Sequence, residues 1–401
     1  MSAEFSTPRP ARADRPSFLG STAIAGVGFT DFSKQSDRTI VDLATEAARK
    51  AIADSGLEPA DVDGIVSYSL FNDSVACQAV ATTLAIPELT YAVDMGMGGV
   101  SPALAVINAA MAVDSGLASN VLVFRAMNGR SGIRVGATRF EAPTAQYRYP
   151  IGYSAYPYYM AMLARRFMIE TRASQEDLGA VAIEQRTHAA RNERAIRSKP
   201  LTMDEYMDDR WVVEPFHVAD CTSEVDGACA VIVTSLPGAA RSENPPAIIE
   251  GAAWETGFGS GLDIADLHTW PDYATICQDF SAARLWKSAG MSPSDIDVAE
   301  LYDCFTSPVL FALEGLGFAG KGESGAFIRQ GETRLGGSLP VNTHGGLLNE
   351  GYLHGMNTLG EGVVQMHGKA GERQVEGAST CLVTSGAMGD GSALILRRGE
   401  R

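Results

Sequence analysis

The sequence predicts an α/β protein made of two related βαβ-rich halves, and three observations carry that prediction. Short apolar runs alternate with helical patterns along the chain, as expected for a sheet covered by helices. An eight-residue stretch, Gly56-Leu57-Glu58-Pro59-Ala60-Asp61-Val62-Asp63, returns 234 positions later as Gly290-Met291-Ser292-Pro293-Ser294-Asp295-Ile296-Asp297. After each copy a glycine-rich turn (Gly96 to Gly99; Gly345 to Gly351) leads into a helix and then a buried strand (VLVFRA; TCLVTS). One GxxPxDxD match is only a helix stop followed by a turn, but the shared sequel makes it a duplication. Tyr302 then falls opposite Tyr68.

Thr22 to Phe32 alternates apolar and small residues like an opening strand, and Thr39 to Asp54 places Ile40, Leu43, Ala44, Ala47 and Ala51 on one helical face. That helix ends at Gly56, the residue type suited to a left-handed cap. Gly64 to Leu70 and Leu89 to Met95 read as strands around a helix at Ser74 to Leu84. A small-residue helix, Pro102 to Val113, precedes a buried strand at Ser119 to Ala126. The alternation predicts a mostly parallel sheet. Asp226 to Ser235 reads as the last strand of the first half, Leu236 to Pro246 as a linker, and Ala247 to Glu255 as the first strand of the second. The expected organisation is a disordered Pro/Arg tail over 1–18, an N-terminal half over 19–235 and a C-terminal half over 247–401. Between about 127 and 216 an insertion of loops and helices without strands is expected. Within it, Ala145 to Leu163 holds six tyrosines in thirteen residues. Such a stretch can cover an apolar ligand, contact a subunit or pack on its own domain.

A chain of 401 residues, 45% hydrophobic and 20% charged, belongs to a globular protein with two or three domain-sized units. The formal charge of −16, with no basic cluster, argues against nucleic acid and anionic membrane. No segment approaches the roughly 18 apolar residues of a membrane span, and the N-terminal stretch has no signal-peptide core. A cytoplasmic protein is expected. Six cysteines without a CxxC suggest free thiols. His188, His217, His268 and His367 are too dispersed for a metal site. Lys287, Lys321 and Lys369 sit in polar turns unsuited to a Schiff base.

Chemistry is expected between Ala299 and Gly355, in AELYDCFTS and VNTHGGLLNEGYLHG. Tyr302 and Tyr352 each stand where an apolar or glycine-rich run meets a helical pattern. Their bland alternatives are a strand-end ring matching Tyr68 and a core tyrosine at a helix start. His354 and His344 flank Tyr352 and could orient it or bind a thioester oxygen, or be structural. Asp303 could polarise a phenol or cap the helix starting at Phe305. Cys304 reads first as a small buried hydrophobe. Ser101 needs an adjacent base to attack an ester and otherwise caps its helix.

The DGA turn at Asp226 to Ala228, ELYDCF at Glu300 to Phe305, NxxGGLxxxGxxxG at Asn342 to Gly355 and GAMGDGSALIL at Gly386 to Leu396 together resemble the thiolase superfamily. The likeness is to sterol-carrier-protein-type thiolases and lipid-transfer proteins, and it covers nearly the whole chain after the tail. It implies a thiolase-like αβαβα fold and a homodimer. In that family a nucleophilic cysteine opens the central helix after the third strand; its place falls on Gly99. The activating histidine of the GHP motif is replaced by Tyr352, and the asparagine or histidine of the strand-end motif by Tyr302. The second cysteine falls near Ser385, and Cys381, four residues upstream in an apolar run, reads as core.

Covalent thiolysis is therefore not expected, while stabilisation of a thioester enolate remains available. Tyrosines at these two positions resemble the lipid-transfer-protein aldolases of bacterial steroid side-chain degradation. That resemblance implies retro-aldol cleavage of a 17-hydroxy steroid acyl-CoA to a 17-ketosteroid and propionyl-CoA. Tyr302 and Tyr352 would transfer protons, and Gly99, Ser101 and Gly389 would form the oxyanion site or pocket. No metal or cofactor is implied, CoA being part of the substrate. The implied partner is a hydratase-type subunit with a DUF35/OB-fold domain. The alternatives are acyl transfer through Cys304 or Ser101, or a non-catalytic lipid-binding subunit.

Overall fold

The computed structural model describes residues 15–134, 143–257 and 274–400. Its strands, in chain order, are β1 (Thr22–Phe29), β2 (Gly64–Tyr68), β3 (Tyr91–Met95), β4 (Asn120–Asn128), β5 (Trp211–Val213), β6 (Phe216–His217), β7 (Asp226–Ser235), β8 (Ala247–Thr256), β9 (Val298–Glu300), β10 (Thr380–Ser385) and β11 (Asp390–Arg398). Nine of them join in the order β3-β2-β4-β7-β1-β8-β11-β10-β9, and β5 and β6 pair separately.

The duplication is visible in the register. Parallel β2–β4 corresponds to parallel β9–β10, and antiparallel β4–β7 to antiparallel β10–β11. Antiparallel β1–β7 corresponds to β8–β11. The halves join where Ala23 and Ile24 of β1 pair with Ile248 and Ala247 of β8. The sheet is thus mixed, with more antiparallel than parallel pairings, and not the mostly parallel sheet expected. Central strands covered on both faces are apolar throughout in either direction, so composition does not report their sense.

The Ile40–Asp54 helix packs outside β1, β4 and β7, and the Cys277–Ala289 helix outside β8 and β11. Between the halves lie the Ser101–Asp114 and Met356–His367 helices, each touching strands of both. The layers are therefore helix, sheet, helix, sheet, helix. A central helix is buried along most of its length, which explains why SPALAVINAAMAVD and MNTLGEGVVQMH lack a charged face. Gly360 is needed for the close approach: a Cβ there would lie 2.5 Å from Phe29 Cζ and 2.9 Å from Cys229 Sγ.

Local signals were reliable. Thr39 caps the first helix by accepting from the Asp42 N–H, its buried face is Leu43, Ala44, Ala47, Ala48, Ala51 and Ile52, and Gly56 has φ +71°. The expected tail divides: residues 1–14 lie outside the described residues, whereas 15–18 belong to the body. Arg15 donates to the Ser288 and Glu250 carbonyls and Phe18 is buried. In the insertion, helices span Tyr156–Thr171 and Gln175–Ala189, but β5 and β6 add a short pairing that was not expected. Its tyrosines divide too. Tyr159 is core, Tyr147 is 74% exposed, and Tyr156 faces the cavity described below.

Candidate active site

Strand β9 and the loop Val341 to Gly355 bring the two phenols together. Leu301 N–H donates to Asn342 Oδ1 (2.7 Å) and Tyr302 N–H to Thr384 Oγ1 (2.9 Å), which fixes the chain where it leaves the sheet. Tyr352 N–H donates to the Ser223 carbonyl (2.9 Å). The tight bend around it uses left-handed backbone at Gly351, His354 and Gly355 (φ +147°, +51° and +82°). Tyr68, the repeat mate of Tyr302, is buried and donates to the His354 carbonyl (3.2 Å). One tyrosine of the duplicated pair thus braces the loop from below, and the other meets its phenol: the Tyr302 and Tyr352 hydroxyls are 2.8 Å apart.

Gly99 explains why Tyr302 fits. A Cβ on Gly99 would overlap the Tyr302 hydroxyl and lie 2.6 Å from Cζ. The phenol occupies the volume that a side chain at position 99 would need. Both hydroxyls face a cavity of about 930 Å³ that Gly99, Cys304 and Gly389 also line. Leu70, Met97, Met160, Trp254, Phe305 and Met388 give it apolar walls, and five cations, Lys34, Arg130, Arg134, Arg197 and Arg210, line it as well. Burial holds both phenols well above the ordinary tyrosine range; the Tyr352 charge raises Tyr302 further, whereas Tyr352 is raised further by the Cys304 charge and lowered by its hydrogen bond with Tyr302. Both are neutral at physiological pH.

The other expected residues separate. Ser101 is fully buried, its hydroxyl makes no hydrogen bond, and it does not line the cavity. It neither attacks nor caps, because the preceding turn at Gly98–Val100 directs it into the body. Asp303 is also buried away from the cavity. It accepts from the Leu347 and Leu348 N–H groups (2.8 and 3.2 Å), so it caps the short Gly346–Asn349 helix and not the one after Phe305. Burial pushes its carboxyl up to about 8.

His344 does not reach the phenols either. Its Nδ1 lies 2.9 Å from Glu300 Oε2. Burial lowers its pKa, but Glu350 and Glu300 outweigh burial and push it up to about 9. His354 does pack on Tyr352, ring to ring at 4.8 Å and 87°. Cys304 lines the cavity, but burial and then the Asp303 charge push its thiol up, away from the nucleophilic thiolate. Cys381 is core.

Two groups of residues were missed. The five cations come from separated segments and make no local motif. Arg125, inside the apolar run VLVFRA, reads as a strand residue, yet it is fully buried behind the site with Asp73 at 2.7 Å. Among the described residues no group of three His, Cys, Asp or Glu is placed to hold a metal ion, and no helix is long and apolar enough to cross a membrane.

Comparison with known proteins places the chain in a family. Residues 259–398 match the thiolase C-terminal domain-like family. The chain is 40% identical over 390 residues to the 17-hydroxy-3-oxo-4-pregnene-20-carboxyl-CoA lyase of Mycobacterium tuberculosis, spanning 94% of this chain and 99% of that one. It is equally similar to the steroid side-chain-cleaving aldolase of Thermomonospora curvata, at 40% identity over 94% and 98% of the two chains. Among solved structures, an Ltp2-ChsH2(DUF35) aldolase superimposes with a TM-score of 0.90 at 40% identity, covering 96% of this chain and 99% of that one. Human mitochondrial 3-ketoacyl-CoA thiolase shares the fold, with a TM-score of 0.71 at 17% identity over 96% and 100% of the chains. The chain belongs to the thiolase superfamily, and within it to the steroid side-chain-cleaving aldolases of the lipid-transfer-protein type.

Proposed function

We propose that this protein cleaves a carbon–carbon bond of a β-hydroxyacyl-CoA by a retro-aldol reaction, the substrate being a steroid with a tertiary 17-hydroxyl and a short acyl-CoA side chain. The observation that carries the mechanism is the 2.8 Å contact between two cavity-facing phenols where a thiolase would hold its polar pair. The hydroxyl proton leaves O17 as the C17–C20 bond breaks; O17 becomes the ketone, and the bond electrons enter the thioester as its enolate. Protonation at C20 then gives propionyl-CoA. One phenol accepts from O17, the phenol–phenol contact passes a proton on, and the other phenol donates to C20, so the pair ends neutral. Neither phenol has to ionise beforehand. The two hydroxyls stand close enough to act in either order.

The cavity suits both ends of such a substrate. Its apolar walls match a fused-ring hydrocarbon, and its five cations match the phosphates of CoA in a chain of net charge −16. Backbone N–H groups of the Gly99 and Gly386 to Gly389 turns are the candidate donors to the enolate oxygen. No cofactor enters this scheme. A DUF35 subunit, as in the similar solved complex, is the proposed partner. A homodimer is also proposed. β3 pairs only with β2 among the described residues and leaves one strand edge for such a contact.

The test is product analysis after incubating the purified protein, alone and with a DUF35 partner, with a 17-hydroxy steroid acyl-CoA. Equal amounts of 17-ketosteroid and propionyl-CoA, with no mass added to the enzyme, are expected. An acyl-enzyme in the intact mass spectrum would favour acyl transfer and overturn this reading. So would intact substrate with the partner present.

A further inference from the structure

Behind the phenol pair the structure buries a charge that the reaction scheme does not use. Arg125, on β4, has no exposure. Its Nη1 donates to the Tyr68 carbonyl (3.1 Å) and one Nη2 hydrogen points to His354 Nδ1 (2.9 Å). Its guanidinium also lies 5.4 Å from the centre of the Tyr68 ring and 2.7 Å from Asp73 Oδ2. Asp73 in turn accepts from the Leu70 N–H through Oδ1 (2.7 Å), closing the turn after β2. Guanidinium only donates, so His354 Nδ1 must accept and the ring proton sits on Nε2. Burial and then the Arg125 charge hold that imidazole well below its ordinary range, so it stays neutral. The same ring stands edge to face with Tyr352.

We infer that Arg125 is a positioning residue for Tyr352. Held by Asp73, it fixes the His354 ring on which the phenol rests and places a buried positive charge behind that phenol. The purpose of this arrangement rests on the aldolase reading; its physical existence does not. A bare cation at this depth would be costly, and a fully neutralised one would exert little field. The ion pair is polarised, with Arg125 on the His354 side: Nη2 is 2.9 Å from Nδ1 whereas Asp73 Oδ2 is 4.0 Å away. The other groups facing Tyr352 are the Tyr302 hydroxyl, the Cys304 thiol and Tyr156, and the cavity-lining Glu224, whose backbone bridges to Tyr352 and whose carboxylate pairs with Arg134. Arg125 is the fully buried cation behind the Tyr352 phenol, whereas Lys34, Arg130, Arg134, Arg197 and Arg210 line the cavity that its hydroxyl faces.

The test reads the phenol directly and needs no turnover. With 3,5-difluorotyrosine placed at position 352 of the full chain, fluorine NMR follows its titration. Arg125→Gln is expected to move the midpoint up, and Asp73→Asn, which keeps the acceptor for Leu70 but frees the cation, to move it down, each by about one pH unit. Arg125→Lys, which keeps the charge, is expected to stay within half of the Gln shift, as an estimate from the same charge–charge effect. Misfolding cannot produce opposite shifts. If Arg125→Gln does not fold, Asp73→Asn alone decides: an unchanged or raised midpoint overturns the inference. A downward shift in a protein that fails to cleave the steroid thioester would uphold this inference while removing the aldolase reading.

Discussion

A methyl group on Gly99 would overlap the Tyr302 hydroxyl, so a side chain at position 99 and a phenol at position 302 exclude one another. With Gly99 proposed to stand at the thiolase nucleophile's place, loss of that nucleophile and gain of the tyrosine become one structural change. Gly99→Ala is expected to displace the ring and lower kcat by at least 10²-fold, with a stability loss of about 1–3 kcal/mol from overpacking, read by steady-state kinetics and thermal melts. The pH dependence follows from burial. Because both phenols are held above the ordinary range, the neutral, proton-bearing forms persist through the physiological window. The kcat/KM for cleavage is therefore expected to be flat between about pH 7 and 9. A tenfold rise per pH unit there would instead mean that a phenolate is the base. Tyr302 and Tyr352 were legible because they stand at motif positions, one at the end of an apolar run and the other after a glycine. Arg125 was not, since its partners Asp73 and His354 lie 52 and 229 residues away in sequence.

The loop from Asn342 to Gly355 shows why its polar residues looked catalytic. Sequence places His344, His354 and Tyr352 side by side, but left-handed backbone at Asn342, Gly345, Gly346, Gly351, His354 and Gly355 sends neighbouring side chains in different directions. His344 turns to Glu300, and Asp303 reaches across to hold the helix at Leu347. Adjacency along a chain gives direction only where the backbone is regular. The buried groups have a consequence for stability. Asp303 and His344 have folded-state pKa values raised to about 8 and about 9. A group that binds its proton more tightly when folded contributes stability below its unfolded pKa and loses it as pH rises through the folded one. Stability is therefore expected to fall as pH rises, between about 4 and 8 through Asp303 and between about 6.5 and 9 through His344, by on the order of 1–3 kcal/mol, seen in chemical denaturation at several pH values. Asp303→Asn should remove the Asp303 share of that slope, between about pH 4 and 8, and leave the His344 share between about pH 6.5 and 9. A stability that rises with pH over this window would contradict the assignment.

Across the whole molecule, the duplication was readable because both copies keep the same helix stop, turn and strand, and those signals are local. Strand direction was not readable, because β7 and β11, buried on both faces, carry the same apolar composition whichever way they run. The cavity was also invisible in sequence: its cations are contributed by the segment after β1, the chain beyond β4, the insertion and the approach to β5. In a chain of net charge −16, these cations are what would draw a polyanionic CoA to one place. Arg210→Glu is expected to raise KM several-fold with kcat nearly kept, and added salt should shrink the difference. An effect on kcat alone would place Arg210 elsewhere in the reaction.

The central claim is that two phenols in contact carry proton transfer for carbon–carbon cleavage without a covalent intermediate. Its most direct test is the single-turnover rate of 17-ketosteroid formation by the wild type, Tyr302→Phe and Tyr352→Phe, with the enzyme mass followed in the same samples. Losses of about 10²- to 10⁴-fold in each variant, with melting temperatures kept and no acyl-enzyme at any time, are expected. Full rate in both variants, or an acylated wild-type enzyme, would contradict it.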